Sequence, residues 1–220
     1  MPVVFPNPNN STSEGLVAVG GILDAETLHT AYTNGIFPWP IPNEELMTWF
    51  SPNPRGILEL KDVYYNRSFK RFLNSTDFKV KFNTNFEEVI SHCANVKRSD
   101  ENSTWINAEI IESYTEMFRL GLAYCVEVYD DNIMVGGMYG ICIGELISGE
   151  SMFHFKSNAS KLALFSLIEK LKKSQISWID TQMVTPVIEK FGGKEIPRSD
   201  FLNRIKNINT ITPSRQELFL

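Results

Sequence analysis

The sequence predicts an α+β protein in which a mixed, largely antiparallel sheet is flanked by helices, behind a small N-terminal region rich in proline and aromatic residues. Three observations carry this prediction. Apolar, strand-like runs between Tyr124 and Ser151 are separated by turns too short for a parallel crossover. The segment from Ser160 to Lys173 repeats apolar residues at helical spacing. The first sixty residues carry prolines at 2, 6, 8, 38, 40, 42, 52 and 54, which rule out long regular elements there.

In chain order, Asp24 is a candidate N-cap for a helix running through Ala31 and Tyr32 to a stop at Gly35. Pro38 and Pro40 then force Ile36-Phe37-Pro38-Trp39-Pro40 into extended backbone. Residues 1–62 read as a small N-terminal domain or lid and 63–220 as the larger domain. Asn66 can cap a short helix burying Phe69, Phe72 and Leu73. Phe78, Val80 and Phe82 alternate with Lys79 and Lys81 as a strand does. Phe86, Val89, Ile90 and Cys93 recur at helical spacing. A helix from Asn107 to Leu120 presents Ile110, Ile111, Tyr114, Met117 and Phe118 on one face and ends at Gly121.

The meander follows: Tyr124 to Tyr129, a turn at Asp130-Asp131-Asn132, Ile133 to Cys142, a turn at Ile143-Gly144, and Glu145 to Ser151. The helix from Ser160 to Lys173 has too many apolar positions for one exposed face, so it lies against a sheet. A strand at Trp178 to Gln182, a short helix near Val187 to Lys190, and a last helix near Arg198 to Ile205 complete the chain. Helix, antiparallel meander, helix, strand, helix is the order of an N-acetyltransferase-like (GNAT-like) scaffold. That analogy concerns scaffold and not substrate.

At 220 residues the chain is long enough for a full-sized core. It has no run of eighteen apolar residues, and its N-terminus lacks the basic flank and apolar core of a signal peptide, so a soluble, cytoplasmic protein without a membrane partner is expected. Cys93, Cys125 and Cys142 are odd in number and show no CxxC spacing, which argues against a disulfide framework or a thiolate zinc site. His29, His92 and His154 make no ligand-spaced pair, so no metal is expected. Ser151 lacks the second glycine of a nucleophile elbow. The loop Phe153–Lys161 has no glycine to admit a pyrophosphate closely, which disfavours coenzyme A; no cofactor is expected. The net charge of −5 offers no global attraction to nucleic acid, so any such partner needs a local patch. Arg67, Lys70 and Arg71, with Lys79 and Lys81 nearby, and Lys170, Lys172 and Lys173 at a helix end are candidates.

Two carboxylates stand out. Glu150 and Asp180 each sit inside an apolar, strand-like run, where an unpaired charge loses several kcal/mol of hydration. They are paired internally, with Arg55, Arg119 or Lys161 as candidates, or protonated, or they line a pocket that meets a cationic or amino-bearing ligand.

The stretches Phe5-Pro6-Asn7-Pro8, Gly15–Gly21, Gly35-Ile36-Phe37-Pro38-Trp39, Trp49–Arg55, Thr104-Trp105-Ile106, Gly149–Phe153, Asp180-Thr181-Gln182 and Glu195-Ile196-Pro197-Arg198 resemble, in order and over nearly the whole chain, the leucyl/phenylalanyl-tRNA-protein transferase family. Phe50 stands where the family often has a second Trp, and Val187 where a His is common. The resemblance implies a cytoplasmic aminoacyltransferase without cofactor. Its donors would be Leu-tRNA and Phe-tRNA, its acceptors proteins with N-terminal Arg or Lys, and its products substrates of the N-degron route. It places Trp49 and Trp105 on the terminal adenosine, and suggests Met138, Ile147, Met152, Leu164, Leu167 and Ile179 as walls of an apolar pocket for the donor side chain. Burying a Leu or Phe there is worth about 1.5–3 kcal/mol, while one methylene is worth about 1–3 kcal/mol, so Met is expected as a weaker donor. Glu150 and Asp180 would meet the cationic acceptor. Asp180 would also hold Gln182, whose carbonyl would accept a hydrogen bond from the attacking amine, with no covalent intermediate. Arg67, Lys70 and Arg71 would contact the tRNA backbone.

Overall fold

The computed structural model describes residues 4–41, 44–96, 104–174, 176–208 and 218; Pro2 and Pro42 of the proline-rich segment lie outside them. The N-terminal part holds β1 (Leu16–Val19), α1 (Ala25–Thr33), β2 (Phe37–Pro38) and β3 (Thr48–Phe50), with the three strands ordered β1-β3-β2. The Asp24 carboxylate accepts the Thr27 N–H at 2.8 Å, which satisfies one of the open donors at the start of α1. There follow β4 (Arg55–Glu59), α2 (Arg67–Ser75), β5 (Lys79–Phe82), α3 (Phe86–Asn95) and α4 (Ala108–Arg119). Asn66 caps α2 and Asn107 caps α4 through their side chains, as their positions ahead of apolar periodic runs predict.

The meander and closing elements are β6 (Ala123–Asp130), β7 (Ile133–Ile143), β8 (Leu146–Ile147), β9 (Ser151–His154), α5 (Ala159–Leu171), β10 (Trp178–Gln182), α6 (Pro186–Lys190), β11 (Lys194–Ile196) and α7 (Arg198–Lys206). An antiparallel sheet runs β5-β6-β7-β8, and β9 also pairs with β7. Strand alternation on β6 divides the core in two. Ala123 and Cys125 face α3 and α4, whereas Tyr124, Val126 and Val128 face α5. Glu127 is the exception on its face. Fully buried, it accepts the backbone N–H groups of Thr84 and Asn85 at 2.7 and 3.0 Å ahead of α3, whose own N-cap makes no side-chain bond.

Two features differ from the sequence expectation. The expected strand Glu145 to Ser151 is broken by a bulge: β8 and β9 both pair with β7, and between them the register shifts by one residue, although the Ser148 and Glu150 N–H groups still donate to the Ile141 and Tyr139 carbonyls of β7 at 3.0 Å. The chain turns there toward β10, where Ser148 forms a parallel bridge with Asp180 and the Gly149 N–H donates to the Asp180 carbonyl at 2.9 Å. Gly140 makes room for this: a Cβ on it would lie 1.9 Å from the Ser148 carbonyl oxygen and 2.7 Å from the Tyr124 hydroxyl. Glu150 therefore sits at an irregularity just ahead of β9, with its N–H still donated to the Tyr139 carbonyl of β7.

The second difference is β4. It lies within residues 1–62, yet it is the central strand of a sheet ordered β10-β4-β11, whose other strands come from the last fifty residues. A division after residue 62 would separate β4 from both partners. The short apolar run Ile57-Leu58 directly after Pro52 and Pro54 offers too little periodicity to announce a central strand.

Gly140→Ala is expected to destabilise the protein by about 1–3 kcal/mol through overpacking, lowering the thermal midpoint by several degrees in a circular-dichroism melt. Because the clash falls on the Ser148 carbonyl, the same variant should lose activity well below its melting temperature.

Candidate functional site

The break at Ser148–Glu150 and the end of β10 place three polar side chains together. Glu150 Oε1 accepts from the Ser148 hydroxyl at 2.5 Å and from the Gln182 amide nitrogen at 2.8 Å. The Tyr32 hydroxyl also acts on its carboxyl and favours the charged form, and Tyr32 meets Tyr114, oxygen to oxygen, at 2.5 Å. Among the described residues no Lys or Arg pairs with Glu150. Burial therefore pushes its carboxyl up to about 7, with the Asp180 charge adding to the rise, while the bonds from Ser148, Tyr32 and Gln182 hold it down. Glu150 still keeps partial exposure at the residue level.

Asp180 is different. It is 1% exposed, and Arg55 is fully buried beside it: Nε donates to Oδ1 at 2.9 Å and Nη2 to Oδ2 at 2.6 Å. Of the three internal partners open from the sequence, Arg55 takes Asp180, while Arg119 pairs with Glu87 and Lys161 bonds Asn158. This corrects the expectation that Asp180 meets a cationic acceptor, because both of its oxygens and its charge are already engaged. The remaining Arg55 nitrogen, Nη1, donates to the Gly35 carbonyl at 3.2 Å, and the guanidinium lies over the rings of Phe37 and Phe201 at 4.8 and 4.3 Å.

The other lone pair of Asp180 Oδ1 accepts the backbone N–H of Gln182 at 3.0 Å. The β10–β4 register shifts between these two residues, and Gln182 adopts φ +54°, a left-handed backbone that costs a non-glycine residue about 1–3 kcal/mol. The Asp180 side chain supports that turn, and the bulge re-aims Gln182 toward Glu150. With Nε2 donating to Glu150, the Gln182 amide oxygen is left as an acceptor. The arrangement presents one carboxylate without a cation and one amide oxygen side by side, a pair suited to receiving an amine.

The six expected pocket residues fall in one apolar cluster. Met138, Ile147, Leu164, Leu167 and Ile179 are buried in it, and Met152 packs against it half-buried. The tryptophans divide. Trp105 is 9% exposed and stacks at 5.8 Å and 14° on Trp39, which is half-buried, whereas Trp49 is 1% exposed, edge-on to Phe5, with Nε1 donating to the Gly20 carbonyl. Trp49 thus has no open ring face, a correction to its expected place against a nucleoside. Arg67, Lys70 and Arg71 are exposed on α2 and pair with no acid among the described residues. Their helix packs through Phe69 against Tyr65, Phe165 and Phe191.

Residues 21–53 match the model for the leucyl/phenylalanyl-tRNA protein transferase N-terminal domain, and residues 57–206 match that for leucyl/phenylalanyl-tRNA protein transferase. The chain belongs to this family. Proteins named leucyl/phenylalanyl-tRNA–protein transferase are 42% identical in Flavobacterium johnsoniae, over 92% of this chain and 95% of that one, and 43% in Sulfurimonas denitrificans, over 94% and 90%. One from Pseudoalteromonas atlantica is 44% identical over 92% and 86%. A solved structure of a conserved protein of unknown function from Bacteroides thetaiotaomicron aligns with 72% of this chain and 57% of its own at 12% identity and TM-score 0.45, too weak a likeness to fix the fold.

Within this family member, sequence reasoning missed Tyr32, Tyr114, Ser148 and Trp39. The first two are spaced as ordinary core residues of helices, and nothing in a one-dimensional pattern says that their hydroxyls converge. Trp39 carried a signal, since it ends the Gly35-Ile36-Phe37-Pro38-Trp39 motif.

Arg55→Leu is expected to cost about 3–5 kcal/mol by stranding the buried Asp180 charge, read as a lower urea midpoint. Pairing it with Asp180→Leu should recover part of that stability, because the stranded charge is gone. The double variant should remain catalytically weak, since Gln182 loses its backbone support.

Proposed function

We propose that this protein transfers Leu or Phe, and Met less well, from aminoacyl-tRNA to the α-amino group of proteins beginning with Arg or Lys. In the cytoplasm this would mark them for the N-degron route. The observation that carries the reading is the contact between Gln182 Nε2 and Glu150 Oε1, which leaves a carboxylate without a cation beside an amide oxygen, next to an apolar cluster.

The chemistry is aminolysis of an ester. A free α-amine with a pKa near 7.7–8.0 is already neutral for about a tenth or more of molecules at pH 7, so no strong base is needed. Gln182 accepts one amine N–H through its amide oxygen. The nitrogen lone pair attacks the ester carbonyl, the N–C bond forms as the bond to the ribose oxygen breaks, and the amine proton passes to that oxygen. Positioning supplies most of the acceleration, and no covalent enzyme intermediate forms. Glu150 attracts the Arg or Lys side chain of the acceptor; two opposite charges at 4 Å interact by about 4 kcal/mol at an effective dielectric near 20, before desolvation is subtracted. Asp180 acts through Gln182.

Met138, Ile147, Met152, Leu164, Leu167 and Ile179 receive the donor side chain. The Trp39–Trp105 pair, and not Trp49, offers the stacking platform for the terminal adenosine. Arg67, Lys70 and Arg71 supply phosphate contacts farther out. The larger part is read as an N-acetyltransferase-like scaffold, on its order of helix, meander, helix, strand and helix. A boundary ahead of β4, where the two family models meet, fits the sheet better than one after residue 62.

The test is to incubate purified protein with Leu-tRNA, Phe-tRNA or acetyl-CoA and peptides beginning Arg, Lys, Met or Glu, then weigh the products. Leucyl and phenylalanyl addition to Arg and Lys peptides alone is expected, with Gln182→Ala slowing turnover at least tenfold; an acetyl product, or none, overturns the reading. Trp39→Ala should raise KM for aminoacyl-tRNA several-fold with kcat and melting nearly unchanged. An equal effect on the peptide KM would remove Trp39 from the tRNA side.

A further inference from the structure

The buried tyrosine pair behind Glu150 is unused by the reaction as described. Tyr32 comes from α1, at 2% exposure, and Tyr114 from α4, at 0%. Their hydroxyls are 2.5 Å apart, their rings stand edge to face at 6.5 Å, and Tyr114 is edge-on to Tyr139 at 5.6 Å. Two phenols this deep in a core need partners, and a Phe at each position would fill nearly the same space without that need.

Hydrogen counting shows what they do. Each hydroxyl has one proton. One proton is used between the two oxygens, so the pair has one left to give outward, and Glu150 is the charged group that acts on both hydroxyls. Burial and the Glu150 charge push both phenols well up, so neither ionises in competition with it.

We propose that Tyr32 and Tyr114 form a positioning element of the transfer site, a hydroxyl relay that orients the Glu150 carboxylate toward Gln182 and keeps it charged for the incoming acceptor. This rests on the proposed transferase reading, and it couples α1 of the N-terminal part to the site. The groups facing Glu150 are Tyr32 from α1, Tyr114 from α4, Tyr124 from β6, Ser148 from its own break, and Asp180 and Gln182 from β10, with the Arg55 cation engaged by Asp180. Ser148, Tyr32 and Gln182 favour the charged form; burial and Asp180 oppose it.

The sign of the effect follows. A carboxyl already pushed up to about 7 loses a donor to its charged form when a hydroxyl is removed, so it binds its proton more tightly still. If the charged form is needed, the acidic limb of the transfer rate must move to higher pH. A hydrogen bond to a charged group corresponds to a displacement of about one pH unit.

The experiment measures kcat and KM for Leu transfer to an Arg-initiated peptide across pH, for the wild type, Tyr32→Phe and Tyr114→Phe. Taking the ratio of variant to wild type cancels the titration of the peptide amine. The expected result is a loss of about tenfold near pH 6 that recovers at alkaline pH, with KM for Leu-tRNA unchanged and Glu150→Gln lacking the limb altogether. A loss equal at every pH, or no loss, overturns the proposal. Should both variants fail to fold, biosynthetic replacement of tyrosine by 3-fluorotyrosine keeps the packing and makes the phenols stronger donors. The limb must then move to lower pH, and an unmoved limb overturns the proposal. A wild type that transfers nothing counts against the proposed function, whereas an active wild type with unmoved variant profiles counts against the tyrosine relay alone.

Discussion

The ion pair between Arg55 and Asp180 is the constraint on which the rest of the site depends. It joins β4 to β10 inside the core, reaches the carbonyl of Gly35 at the end of α1, and is covered by Phe37 and Phe201. A buried pair of this kind is not an economical source of stability, since apolar residues of similar volume would often do as well. Its value here is geometric. The same carboxylate that neutralises Arg55 accepts the Gln182 N–H and supports a left-handed residue that would otherwise relax toward ordinary strand geometry.

The two carboxylates have opposite environments within one small volume. Asp180 has a bidentate cation and no surface; Glu150 has hydroxyl and amide donors, no cation and partial exposure. Environments that treat neighbouring acids so differently assign them different tasks. Asp180 is the anchor and Glu150 the group able to respond to an arriving charge. The break between β8 and β9 makes this possible, because it brings Ser148 and Gly149 onto β10 and sets the Glu150 side chain against Gln182, while the Glu150 N–H still donates to the Tyr139 carbonyl of β7.

Much of the scaffold was legible in the chain. Asp24, Asn66 and Asn107 announced three helix starts, since each cap depends on residues within one turn. The meander was legible from its short turns. The β8–β9 break was not, because it follows from the missing Cβ of Gly140 opposite the Ser148 carbonyl, and that contact exists only once β6, β7 and the break have paired. Nor was β4, whose place between β10 and β11 depends on strands more than a hundred residues away.

By itself the sequence determined the family, through ordered motifs spread along the chain that include Gln182, and singled out Glu150 and Asp180, because charges in apolar runs are costly and therefore conspicuous. Only the tertiary structure decided how these residues divide the work. It assigned Arg55 to Asp180, closed Trp49 off under Phe5, brought Trp39 against Trp105, and set Tyr32 and Tyr114 behind Glu150. The physical reason is common to all four. Residue type and local spacing set what a side chain can do, whereas partner, exposure and charge state depend on which distant segments pack against it.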